Sequence, residues 1–179
     1  AEGTRLETVK TASVRASHHR IADDLAALAY ATFTAEVVCA FMPEGVEDEP
    51  FFETLAQIMT AFETRQPRVT ALAAVLRTLD AAGLQQTYDH CLHCGTVIEG
   101  DAFFHAAEGG ALCADCAGEG TVPFSAELRT LFTALRQIDW KHPAPLRVRG
   151  GALMAAERMV LAHVQELVGR PLRSLAFLA

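Results

Sequence analysis

Cys91-Leu-His-Cys94 and Cys113-Ala-Asp-Cys116 form two CxxC pairs separated by 18 residues. Each pair sets two soft thiolates on a tight knuckle, and the intervening loop can bring both knuckles to one ion. Zinc suits such a donor set, because it takes four thiolates tetrahedrally with no d-electron preference to satisfy. Glycine follows the first pair directly at Gly95. The spacing predicts one structural Zn2+ per chain, held by Cys91, Cys94, Cys113 and Cys116. Four cysteines close the coordination shell, whereas a catalytic zinc keeps three protein ligands and one open position. The HxE element of zinc deaminases is absent from the sequence. A thiol–disulfide couple at one CxxC is the competing chemistry, and two matched pairs favour the structural site over it.

Other candidates carry less. Cys39 reads as a small buried hydrophobe on a helix. His90, His93 and His105 stand in or beside the cysteine loop as spare ligands. His18-His19-Arg20 reads as a solvated helix start, and Trp140 as a packing residue near Ile138. No glycine-rich phosphate loop or nucleophile elbow is present. An enzyme is therefore not supported. Arg147, Arg149, Arg158, Arg170 and Arg173 recur with Lys141 towards the end of the chain. Such residues contact phosphates or offset the carbonyls of helix C-termini.

The elements that must hold these residues are mainly helical. A stripe of Ile21, Leu25, Leu28, Thr32, Ala35, Val38 and Met42 predicts a first helix ended by Pro43-Glu44-Gly45. An acidic turn (Glu47, Asp48, Glu49) opens a second, with Phe52, Leu55, Ile58, Met59 and Phe62 inward. A third starts near Pro67, carries Leu72, Val75, Leu76 and Leu79, and stops at Gly83. Residues 84–122 lose helical periodicity and hold six of the twelve glycines, which is the texture of loop and short strand. Ser125 caps a helix over residues 125–138 with Leu128, Leu131, Phe132, Leu135 and Ile138 inward. After a Pro-rich break at 142–145, a last helix over 153–168 is closed by Gly169 and Pro171. Residues 4–15 read as one extended strand without a partner, or as a basic arm; a lone strand implies that further sequence precedes it.

Composition agrees with helix. The chain has 179 residues, is 51% hydrophobic and 21% charged, and 32 of its residues are alanine. That is too apolar for intrinsic disorder and rich in the best helix former. The uncharged stretch 25–35 is far shorter than the roughly 20 apolar residues of a membrane span, and no signal-peptide pattern opens the chain. Cysteines at metal spacing point to a reducing cytoplasm. The net charge of −7 argues against nucleic acid until it is divided. Residues 1–20 carry four Lys/Arg against two Asp/Glu, residues 21–120 three against sixteen, and residues 121–179 eight against four. Both ends are basic and the middle is acidic, an asymmetry that hints at polyanion contact.

Three segments stand out: Tyr88-Asp-His-Cys-Leu-His-Cys-Gly95, then Phe103-Phe104 with Gly109-Gly-Ala-Leu-Cys-Ala-Asp-Cys116, then Gly169-Arg-Pro-Leu-Arg-Ser-Leu-Ala-Phe-Leu178. Together they resemble the bacterial RecO family of recombination mediators. Leu25-Ala-Ala-Leu-Ala-Tyr30, Glu36, Met42-Pro-Glu-Gly45 and Phe51-Phe52 fit as well. The resemblance implies a helical domain with the inserted cysteine loop over residues 20–179. It further implies that residues 1–19 are a remnant of an OB-fold domain, with residues 4–15 as the barrel's last strand. It also implies binding of single- and double-stranded DNA, strand annealing, partnership with RecR, and action on strands coated by single-strand-binding protein. Localisation would then be cytoplasmic, at the nucleoid, with no membrane partner. Arg15, Arg20, Arg147, Arg149, Arg170 and Arg173 are the expected DNA contacts. A zinc-stabilised protein–protein adaptor without DNA contact is the alternative.

Overall fold

The computed structural model describes residues 10–142 and 146–178. Among the described residues six α-helices carry the fold: α1 (Arg20–Asp23), α2 (Leu25–Phe41), α3 (Glu49–Phe62), α4 (Pro67–Ala81), α5 (Ala126–Arg136) and α6 (Gly150–Val168). Between α4 and α5 lie three short strands, β1 (Ala102–His105), β2 (Gly110–Leu112) and β3 (Thr121–Phe124), and a 3-10 helix (Arg173–Phe177) follows α6. The sheet has the order β2-β1-β3, antiparallel throughout, with Phe104 opposite Ala111 on one side and Val122 on the other. The architecture is mainly α with an inserted cysteine loop, as expected. Residues 4–9 of the expected N-terminal strand lie outside the described residues, and residues 10–15 run without strand pairing. Pro143, Ala144 and Pro145 of the expected break also lie outside them.

α4 is the axis. Thr70 through Leu76, with Thr78 and Leu79, are all buried, and α2, α3, α5 and α6 pack around it. Its alanines let α2 approach closely, and that contact decides which face of α2 turns inward. Ala27, Tyr30, Ala31, Phe33, Thr34 and Val37 are buried. The predicted stripe is corrected: Leu25 and Leu28 are 81% and 43% exposed, and Thr32 and Ala35 face solvent. Cys39 is exposed too, not buried. Residues 25–35 carry no charge on any side, so periodicity could not select a face, and the larger side chains were a misleading guide. Asp24 also splits the expected first helix, because its carboxylate caps α2 at the Ala26 and Ala27 N–H groups. On α3 Phe62 is buried as expected, but of the adjacent pair it is Phe51 that turns inward, while Phe52 is 61% exposed. The other caps follow expectation. Ser125 Oγ accepts from the Leu128 N–H, and Gly169 closes α6 at φ 64, a left-handed conformation that favours glycine.

An aromatic cluster fastens the sheet to the helices. Tyr88, Phe124 and Phe132 meet edge to face with ring centroids 5.1–5.6 Å apart, and Phe104 joins Phe124 at 5.6 Å. Such pairs add about 0.5–1.5 kcal/mol each beyond the area they bury.

Candidate metal centre and basic surfaces

Backbone hydrogen bonds shape both knuckles. In the first, the Gly95 N–H donates to the Cys91 carbonyl at 2.9 Å and the Cys91 N–H to the Thr96 carbonyl at 2.8 Å. Gly95 sits at φ 72, so the chain reverses there without a Cβ penalty. The second knuckle leaves β2 directly, with the Cys116 and Ala117 N–H groups donating to the Cys113 carbonyl at 3.1 and 2.9 Å. A bond from the Leu92 N–H to the Ala111 carbonyl, at 2.9 Å, ties the two together. All four Sγ atoms consequently lie within 4.8 Å of one another.

Those distances fit one ion. Zinc–sulfur bonds of about 2.3 Å in a tetrahedron put the sulfurs about 3.8 Å apart, and Cys94 Sγ and Cys113 Sγ are 3.7 Å apart. Protonation behaviour agrees. Burial works against the Cys91 thiolate, yet the N–H groups of Cys113, Cys94 and His93 outweigh it and bring this thiol down to about 6. Cys116 is pushed up to about 12 by hydrogen bonds with Cys113, Cys94 and Cys91. A dication removes this competition by letting all four ionise together. The spare histidines are engaged elsewhere. His93 Nε2 lies 2.8 Å from Glu108 Oε2, His90 Nδ1 3.1 Å from Asp89, and His105 Nδ1 accepts from the Glu108 N–H at 3.3 Å. The arrangement is a closed thiolate shell.

Two supports of the loop carried no local sequence signal. Arg129 on α5 donates from Nη1 to the carbonyls of Tyr88 and Ile98 at 3.2 and 2.7 Å, and from Nη2 to that of Gly100. One fork thus gathers the base of the loop. His163 on α6 donates from Nδ1 to the Ala106 carbonyl at 2.5 Å, at the β1–β2 turn. Gly109, at φ 69, lies so close that an added Cβ would fall 2.3 Å from His163 Cε1.

The six arginines do not form one patch. Arg15 pairs loosely with Glu53 at 3.7 Å, and Arg20 opens α1. Arg147 and Arg149 are exposed before α6, where Arg149 Nε meets Glu127 at 2.8 Å. Arg170 and Arg173 follow the other end of α6, a helix of 19 residues and so about 28 Å long. Among the described residues, the side chains of Arg20, Arg147, Arg170 and Arg173 make no ion pair. Trp140 is half-buried, packed against the core beneath Arg65. His18 lies 3.3 Å from Glu63. No helix of the described residues is long and apolar enough to cross a membrane.

A family profile described as "Recombination protein O C terminal" matches residues 22–176. The DNA repair protein RecO of Anaeromyxobacter sp. (strain K) is 33% identical, over 98% of this chain and 71% of its own length. That of Symbiobacterium thermophilum is 30% identical, over 98% and 72%. That of Roseiflexus sp. (strain RS-1) is 30% identical, over 99% and 64%.

Proposed function

The chain belongs to the RecO family, and on that premise we propose that it is a DNA-binding mediator of recombinational repair. In this reading it anneals complementary strands and, with RecR, helps load recombinase onto strands coated by single-strand-binding protein. The observation that carries the reading is the family match across residues 22–176, joined to relatives that are DNA repair proteins. The mechanism is non-enzymatic. A closed four-thiolate shell offers no open coordination position for substrate, so the metal, which we take to be Zn2+, holds the loop together and does no chemistry. Arg15, Arg20, Arg147, Arg149, Arg170 and Arg173 screen phosphates so that two strands can approach. Residues 1–19 belong to the end of an OB-fold domain and residues 20–179 to the helical domain. The protein works in the cytoplasm, at the nucleoid.

The test is a binding titration with single-stranded and duplex oligonucleotides across a range of salt. Affinity should fall linearly on a log–log plot, and each phosphate contact removed by Arg170→Glu or Arg173→Glu should flatten the slope by about 0.7 to 0.9. Unchanged affinity and slope in these variants sinks the assignment. The adaptor reading, which the acidic surface of α2 and α3 favours, expects no salt-dependent DNA binding at all.

A further inference from the structure

The apolar stripe of α2 ends in a groove. Leu25, Leu28, Thr32 and Ala35 face solvent, and Val38 and Met42, further along the same line, are half-buried. There the surface opens into a groove of about 600 Å³ between the end of α2, the connection to α3, and the first half of α3. Its apolar lining includes Val46, Phe51, Phe52 and Leu55, with Val46 64% and Phe52 61% exposed. Large apolar side chains left together in water mark interaction sites more often than isolated ones do.

The charge around this groove has a single sign. Residues 21–64 contain nine Asp/Glu and no Lys, Arg or His. Glu47, Asp48 and Glu49 stand on the groove itself. Glu53, one turn along α3, is met among the described residues only by the loosely held Arg15 at 3.7 Å. Such a rim repels phosphate and attracts cations, so the groove is not an extension of any nucleic-acid surface. From Leu25 the apolar stripe runs along the 17 residues of α2 to the groove, about 25 Å, a length that another helix would cover.

We propose that α2 and α3 form a docking groove for a basic amphipathic helix of a partner protein. Apolar residues of that helix seat against Val46 and Phe52, while Lys or Arg along its flanks meets Glu47, Glu49 and Glu53. None of the six arginines proposed to contact DNA lines the groove, and among the described residues the two surfaces meet only at the exposed pair Arg15–Glu53.

The probe is a labelled synthetic helix of about 18 residues, built from Leu, Phe and Lys with a single apolar face, and read by fluorescence anisotropy. Two further peptides serve as controls: one with Glu in place of every Lys, and one of the same composition scrambled to lose the apolar face. The Lys peptide should bind, and both controls should bind at least about tenfold more weakly. A Val46→Ser/Phe52→Ser double variant should lose about tenfold in affinity while keeping its circular dichroism, since both side chains are exposed. Glu47→Gln/Glu53→Gln should slow association and weaken its salt dependence. The proposal is overturned if the Lys peptide fails to bind, if the scrambled or Glu peptide binds equally well, or if the serine variant binds unchanged.

Discussion

Glu36, on α2, accepts two hydrogen bonds from Ser174, one from its backbone N–H at 2.8 Å and one from its Oγ at 2.6 Å. A third arrives from the Arg173 N–H at 3.0 Å. The 3-10 helix has no side-chain cap of its own, so a carboxylate from 137 residues earlier satisfies its first donors. This latch holds the segment that carries Arg170 and Arg173 against α2.

Removing the latch should loosen the C-terminal segment and leave the helical core. Glu36→Ala is expected to cost about 1–3 kcal/mol, because it strands buried donors at Ser174. Urea unfolding should show the loss, and amide exchange should accelerate at residues 173–178, with Glu36→Gln recovering part of it. The Ser174 hydroxyl, with help from the Ser174 and Arg173 N–H groups, holds the Glu36 carboxyl below its usual range. Its contribution is therefore present above the ordinary carboxylate pKa and disappears as pH falls through the lowered value. Unaltered exchange in the alanine variant would contradict the latch.

Arg129 tests whether the cysteine loop depends on the helices. Lysine in its place keeps the charge and loses the fork that reaches Tyr88, Ile98 and Gly100 together. Arg129→Lys should destabilise the protein by about 1–3 kcal/mol. It should also speed metal transfer to a chromogenic chelator. Wild-type stability and transfer rate together would show the fork to be dispensable.

His163 makes stability depend on pH. Burial pushes its ring below the ordinary histidine range, against the opposing pull of the Ala106 carbonyl. Its Nε2 is buried with no hydrogen-bond partner among the described residues, so a proton there would be stranded beside Gly109 and the edge of Phe104. The unfolded chain binds that proton near a pKa of about 6.5, while the folded chain resists until a lower pH. Stability should fall as pH drops through 6.5 and level off below the depressed value. His163→Gln keeps a donor for Ala106 and removes the titration. Urea midpoints at about pH 7.5 and 5.5 should lie closer together in this variant than in the wild type, and an unchanged gap would exclude His163 as the cause.

Elements with punctuated ends were legible in the sequence. Pro67 and Gly83 bracket α4, Ser125 caps α5, and Gly169 stops α6, because caps and left-handed glycines are local signals. The four cysteines were legible for the same reason, since their spacing is the chemistry. What failed was facing. The uncharged stretch 25–35 gives α2 no polar side, so its packing, chiefly against α4, chooses Tyr30, Phe33 and Val37 over Leu25 and Leu28. Phe51 and Phe52 pose the same ambiguity on α3. Glu36 with Ser174, Arg129 with the loop carbonyls, and Arg136 with Asp80 at 2.8 Å are pairings distant in sequence. Neither partner of such a pair announces the other.

The cysteine site bears most directly on the account, because the loop, the aromatic cluster behind it and the non-enzymatic reading all assume a filled shell. Cys91→Ser should remove one ligand, lower the melting temperature and unfasten the first knuckle. The decisive measurement is metal content of the purified, unchelated protein by elemental analysis. The predicted result is about one equivalent of zinc per chain, and less than about half an equivalent would contradict it.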